Sequence, residues 1–123
     1  MVSKARLFVD EPMARRVLVA PSPGAAKMLG RAIRGYDEEI WAASRYGVVV
    51  EGNVAKFDQN PPLRAYLIST AGRILVEASP EDRVWGIGMA ASDGRAGRPS
   101  RWRGLNLLGF ALMDVRERLG AVQ

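Results

Sequence analysis

Apolar positions recur at helical spacing in several separate stretches of this chain, and turn-forming residues punctuate them. Met1 to Phe8 reads as the end of a helix, with Lys4 and Arg6 polar and Leu7 and Phe8 apolar. After Asp10, a capping candidate, Pro12 stands early and Met13, Val17 and Leu18 follow near helical spacing. Ser22-Pro23 predicts a second start, continued by Ala25, Ala26, Met28, Leu29 and Ile33 towards Gly35. Asp37 predicts a cap on a helix opening Glu38-Glu39-Ile40-Trp41, acidic in its first turn as the helix dipole prefers. Farther along, Val48-Val49-Val50 favours a strand on propensity. No turn signal separates that run from the helix, so the helix is expected to continue through it.

Asn60-Pro61-Pro62 breaks the chain and predicts a short helix with Leu63, Tyr66 and Leu67 on one face. Gly72 turns the chain into Arg73-Ile74-Leu75-Val76-Glu77-Ala78, which predicts a short strand. Ala90 to Gly104 reads as a polar loop rich in Gly and Arg. A last helix follows, with Leu108, Ala111, Leu112, Val115 and Leu119 as its apolar stripe. Without repeats or an interdomain linker, the expectation is a single α+β domain over residues 1–123, predominantly α-helical.

Composition narrows the chemistry sharply. The 123 residues contain neither cysteine nor histidine. Disulfides, thiolate nucleophiles, Cys/His zinc sites, Ser-His triads and histidine acid/base catalysis are thereby excluded. Catalysis must run on carboxylates, Lys, Tyr, hydroxyls or a metal held by oxygen ligands. The net charge of +5 rests mainly on Arg, because Lys4, Lys27 and Lys56 are the only lysines. That balance suits phosphates or nucleic acid; it equally suits a protein from a GC-rich genome. No apolar run reaches the length of a membrane span and no leader pattern opens the chain, so a cytoplasmic protein without a membrane partner is expected.

The stretch richest in chemistry begins Glu77-Ala78-Ser79-Pro80-Glu81-Asp82-Arg83-Val84-Trp85-Gly86-Ile87-Gly88. It resumes after the Arg-rich loop as Trp102-Arg103-Gly104-Leu105-Asn106-Leu107-Leu108-Gly109 and continues to Arg116. Tryptophans can stack on a planar ligand, and glycines let backbone approach it. Trp85, flanked by Gly86 and Gly88, is the foremost candidate for a pocket wall, with Trp102 and Trp41 as further aromatic candidates. Trp41 on its amphipathic helix serves core packing equally well. Glu77 ends an apolar segment, where an unpaired buried charge is costly, so it should face a cavity, an arginine or solvent. Neither a phosphate-binding Gly-Lys loop nor a strand-linked dinucleotide fingerprint is present.

The order D-x-x-W-G-x-G, then W-x-G-x-N-x-L-G-x-x-L-M-x-x-R, closely resembles the C-terminal signature of the NADAR family. Lys4-Ala5, Leu7-Phe8, Ala20-Pro21-Ser22-Pro23, Ala26-Lys27, Gly30-Arg31, Trp41, Lys56-Phe57 and Gln59-Asn60-Pro61 extend the resemblance in order. Members of that family are N-glycosidases acting on ribosylated purine- or pyrimidine-like compounds. The resemblance implies that Asp82 is the active-site aspartate, stabilising charge on the ribose and activating water, by analogy with carboxylates in O-glycoside hydrolysis. Read locally, Asp82 also suits a cap on Val84 or Trp85. The resemblance places Asn106 beside the site, where it can cap the last helix as well, and makes Lys4 a phosphate contact.

The implied substrate is a phosphoribosylamino-pyrimidine of early riboflavin metabolism, with no cofactor and no metal. A second enzymatic expectation is removal of ADP-ribose from guanine in nucleic acid, for which Arg95, Arg98, Arg101 and Arg103 would grip phosphates. Such a run more often marks a solvated loop. The resemblance also implies a segment before Met1 carrying a second catalytic glutamate, for which this sequence has no counterpart. An oligomer or a partner supplying that segment in trans, or a nucleotide- or ADP-ribose-binding module without catalysis, follows as an expectation.

Overall fold

A computed structural model describes residues 11–33 and 35–120. They fall into two compact units, one ending at Val48 and one beginning at Val49. The predicted helix end over Met1 to Phe8 lies outside the described residues.

In the first unit, α1 (Glu11–Leu18) turns Met13, Ala14 and Val17 inward and leaves Arg15 and Arg16 exposed. Helix α2 (Pro23–Gly30) starts where the Ser-Pro pair predicts. Ser22 is extended, its Oγ accepts the Ala25 N–H at 3.1 Å, and Pro23 occupies a position that needs no donor. Met13, Ala14, Val17 and Ile33 form one buried cluster, with Ala26 and Leu29 packed against it. Leu18, placed on the apolar side by spacing alone, is exposed.

Helix α3 (Glu38–Asp58) begins under Asp37, whose Oδ1 accepts from the Glu39 and Ile40 N–H groups at 2.9 and 3.2 Å. It runs unbroken through Val48-Val49-Val50, as expected from the missing turn signal. β-branched residues cost a helix only a few tenths of a kcal/mol each, roughly, and burial of Val50 offsets that.

In the second unit, α4 (Pro61–Ser69) buries Leu67 while Leu63 and Tyr66 stay exposed, so its inward face is narrower than the spacing predicts. Helix α5 (Leu107–Gly120) keeps its predicted stripe: Ala111, Val115 and Leu119 are buried and Leu108 and Leu112 half-buried. Two arginines tie α4 to α5. Arg64 donates to the Leu119 carbonyl at 3.2 Å. Arg116 Nη1 donates to the Thr70 carbonyl at 2.8 Å, the Thr70 hydroxyl at 3.0 Å and the Arg73 carbonyl at 2.9 Å. Each guanidinium therefore meets the carbonyl-rich end of the other helix, where the dipole favours positive charge.

Among the described residues there is no β-strand, so the β part of the expected α+β class is corrected to helices joined by long loops. Arg73 to Ala78 alternates as a strand does, with Leu75 and Glu77 half-buried and Ile74 and Val76 exposed. It has no partner strand. Its inner backbone groups are satisfied by the Asn106 side chain and by the Ile87 N–H instead. Ala90 to Gly104 is a loop as expected, with one 3-10 turn at Pro99–Arg101. No helix among the described residues is long and apolar enough to cross a membrane.

Candidate functional site

The two halves of the glycine- and tryptophan-rich signature are laced together in the second unit by backbone hydrogen bonds. Arg103 N–H donates to the Ile87 carbonyl at 2.9 Å, Leu105 to Arg83 at 2.9 Å and Asn106 to Gly86 at 3.0 Å. Leu107 and Leu108 then donate to the Val84 and Trp85 carbonyls, both at 3.1 Å. These last donors belong to the first turn of α5, which has no intrahelical acceptor for them. The loop after Asp82 therefore caps α5 with its own carbonyls, and Asn106 is released from the capping role expected of it.

Asn106 is spent on a different task. It is fully buried and holds φ at 54°, a left-handed conformation that Asn tolerates better than most residues. Its Oδ1 accepts the Glu77 N–H at 2.9 Å and its Nδ2 donates to the Leu75 carbonyl at 3.0 Å. The carboxamide grips the extended segment as a neighbouring strand would. A Cβ on Gly109 would overlap the Leu75 carbonyl and both polar atoms of Asn106, so the clamp requires glycine there.

Asp82 is half-buried and its carboxylate is fixed. Oδ1 accepts the Val84 N–H at 2.9 Å and the Trp85 N–H at 2.8 Å, the local turn geometry foreseen as its bland role. Within this pair of bonds Oδ2 takes no part. The Gly88 N–H donates to the Asp82 carbonyl at 3.1 Å. Gly86 lies where three pieces of chain meet: a Cβ there would stand 2.8 Å from the Asp82 carbonyl oxygen and 3.0 Å from that of Glu77. Gly88 has φ of 72°, with the stems of Arg83 and Arg103 on either side. Both glycines are buried, and their close approach is to the protein's own chain.

Of the aromatic candidates, Trp85 is half-buried. Trp102 donates its Nε1–H to the Ala96 carbonyl at 2.8 Å and tilts 54° against Phe110 with centroids 6.4 Å apart, so it anchors the Arg-rich loop. Trp41 belongs to the first unit, and Lys4 lies outside the described residues. The signature thus brings Glu77, Asp82, Trp85, Gly86, Gly88, Trp102 and Asn106 into one unit.

Glu77 meets its first expected option. It lines a cavity of about 200 Å³, together with Phe57, Tyr66, Leu75, Leu108 and Leu112 among others. Neither Asp82 nor Trp85 is in that lining. Because Lys56-Phe57 enters only as one piece of the family resemblance and Tyr66 only as an apolar position of α4, the sequence does not mark this wall as a pocket. Its one local sign is Gly109, a glycine inside an otherwise regular helical pattern.

In the Arg-rich loop, Arg95 donates from Nε and Nη2 to the two oxygens of Asp93 at 3.0 and 2.8 Å. Those bonds, and then the Arg95 backbone N–H, hold the Asp93 carboxyl well below the usual carboxylate range. Arg98, Arg101 and Arg103 are exposed. Among the described residues no group of three or more acidic side chains converges as a metal site would require.

Residues 1–120 match the NADAR domain. The chain belongs to the NADAR family. An N-glycosidase of Acanthamoeba polyphaga mimivirus is 39% identical over 117 residues, covering 95% of this chain and 69% of that protein. N-glycosidase YbiA of Escherichia coli (strain K12) is 34% identical over 116 residues, covering 94% of this chain and 66% of its own. The chloroplastic riboflavin biosynthesis protein PYRR of Zea mays is 39% identical over 123 residues, which are 93% of this chain and 18% of that longer protein.

Proposed function

We propose that the chain hydrolyses the N-glycosidic bond between ribose and a pyrimidine-like base, on a phosphoribosylamino-pyrimidine of the riboflavin route. Two relatives are named N-glycosidases and a third is named for riboflavin biosynthesis, which supports the reaction class and the route in turn. The observation that carries the reading is the anchored carboxylate of Asp82. Two backbone N–H groups hold Oδ1, so the group is oriented before substrate arrives and reorganises little on reaction. Oδ2 is the oxygen assigned to the chemistry.

As the bond from the anomeric carbon to the base nitrogen breaks, its electron pair leaves with the nitrogen and positive charge builds on the ribose ring. Asp82 stabilises that charge and takes a proton from the attacking water, whose oxygen completes the sugar; that proton passes on to the leaving nitrogen, so the base departs protonated there and the carboxylate is restored. Removal of ADP-ribose from nucleic acid is the less favoured substrate class, because Asp93 already engages Arg95, one of four arginines in the loop that would hold a phosphate backbone.

Asp82→Asn tests the assignment. Asparagine keeps an Oδ1 that can accept both N–H groups, so thermal unfolding should be unchanged, while turnover of a ribosylamino-pyrimidine phosphate should fall by roughly 10²–10⁴-fold. Turnover within a few-fold of wild type in a folded variant would remove Asp82 from the mechanism.

A further inference from the structure

We infer that the cavity beside Glu77 takes up the base, a single planar ring bearing N–H donors, with Glu77 as its acceptor and Asn106 as the residue that positions Glu77. The inference rests on the N-glycosidase reading above and adds a recognition subsite to it.

Four observations converge. First, the volume of about 200 Å³ is below the roughly 300–1,000 Å³ of pockets that enclose drug-sized ligands, so it suits one ring rather than a whole nucleotide. Second, the lining is mostly apolar and includes Phe57, Tyr66, Leu108 and Leu112, residue types that pack well against a flat ligand. Third, Glu77 is the one charged residue in that lining. A carboxylate accepts hydrogen bonds and cannot donate, so it selects a ligand edge rich in N–H groups, such as the amino and ring N–H groups of an aminopyrimidine. Fourth, the Asp82 and Glu77 carbonyls both converge on Gly86, which joins the cavity wall to the loop that carries the proposed catalytic carboxylate.

Asn106 makes this wall specific. Glu77 is held on both sides of its backbone: its N–H goes to Asn106 Oδ1 and its carbonyl accepts the Ile87 N–H at 2.9 Å. Asn106 also donates its own N–H to Gly86, so one buried residue connects the cavity wall with the Asp82 loop. Loss of the carboxamide would free the segment to shift, and Glu77 would no longer meet the ring edge at fixed distance.

Binding of the free base separates this inference from the catalytic reading, because it needs no bond cleavage. The measurement is calorimetric titration of the full chain with 5,6-diaminouracil, and with guanine as the larger comparison. Diaminouracil should bind, and guanine at least tenfold more weakly. Glu77→Gln and Asn106→Asp should each weaken diaminouracil about tenfold, whereas Asp82→Asn should leave it unchanged. In the Glu77→Gln background, Asn106→Asp should add no further loss, since Asn106 acts through Glu77. Leu112→Phe, which narrows the cavity without touching the clamp, should abolish binding and serves if the Asn106 variant fails to fold. Base affinity that ignores Glu77→Gln or Leu112→Phe, or no binding by the wild type, overturns the subsite. Additive losses in the double variant overturn the positioning role. A chain that binds base in this pattern yet releases none from the ribosylated compound keeps the subsite and refutes the hydrolysis.

Discussion

Two adjacent stretches of the second unit are both rich in glycine and arginine, and they are built in opposite ways. The halves of the signature, Glu77 to Gly88 and Arg103 to Gly109, are joined by backbone bonds between residues far apart in the chain, from Arg103–Ile87 to Leu108–Trp85. Between them, the Ala90 to Arg101 loop relies on short-range turns: Asp93 to Ala90, Ala96 to Asp93, Arg98 to Arg95 and Arg101 to Arg98. The glycines follow the same division. A Cβ on Gly104 would overlap the Gly86 carbonyl, and one on Gly109 the Leu75 carbonyl, whereas at Gly94 and Gly97 it would meet nothing within 4 Å. Composition alone cannot distinguish a glycine that makes room for another chain from one that merely makes a turn.

Alanine substitutions at the glycines should separate the two stretches most strongly. Gly104→Ala and Gly109→Ala should each lower stability by roughly 2–4 kcal/mol, because backbone and a buried carboxamide, unlike a flexible side chain, cannot yield to the new methyl. For a chain of this size that is on the order of a 10 °C fall in melting temperature. Gly94→Ala and Gly97→Ala should stay within about 0.5 kcal/mol of wild type. Equal losses at all four positions in thermal unfolding would show that the lacing of the signature does not restrict these sites.

The arginines sharpen the same contrast at smaller amplitude. Arg116 reaches across more than forty residues to three oxygens after α4, while Arg95 reaches back two residues to Asp93. Hydrogen bonds from a charged donor at a partly buried helix end contribute about 1.5–3 kcal/mol in total, so Arg116→Met should cost about 2 kcal/mol. Arg116→Lys should recover only part of it, since an ammonium lacks the planar fork. Arg98→Met, in the exposed loop, should be nearly silent in the same chemical denaturation series.

Much of the helical frame was legible because its causes are local. Ser22-Pro23 and Asp37-Glu38-Glu39 carry their own caps, and the absence of any turn signal before Val48-Val49-Val50 outweighed the strand propensity of that run. The signature residues were legible as a group, because glycine, tryptophan and asparagine at those spacings make poor regular structure. What Asn106 does was not legible. Its place before a helix predicts a cap, yet the Val84 and Trp85 carbonyls perform that task, and nothing local announces two acceptors more than twenty residues upstream. The strand expected at Arg73 to Ala78 failed for the complementary reason. Alternation fixes an extended backbone, but a strand also needs a partner, and here one side chain takes the partner's place.

The smallest expected effect concerns the Arg-rich loop itself and depends on pH. Arg95 depresses the Asp93 carboxyl in the folded chain relative to the unfolded one. A group with a depressed folded pKa contributes stability that is present above its unfolded value, about 3.9, and is lost as pH falls through the folded value. Asp93→Asn should therefore lower the melting temperature slightly at pH 7, and its difference from wild type should shrink towards pH 2. Asparagine can still accept the Arg95 backbone N–H, so the turn itself should survive and only the charge-dependent part should disappear. If the gap stayed constant from pH 7 to pH 2, Asp93 would be acting through turn geometry alone. The loop would then owe nothing to its ion pair, and Arg95 would stand as open to an anionic ligand as Arg98 and Arg101.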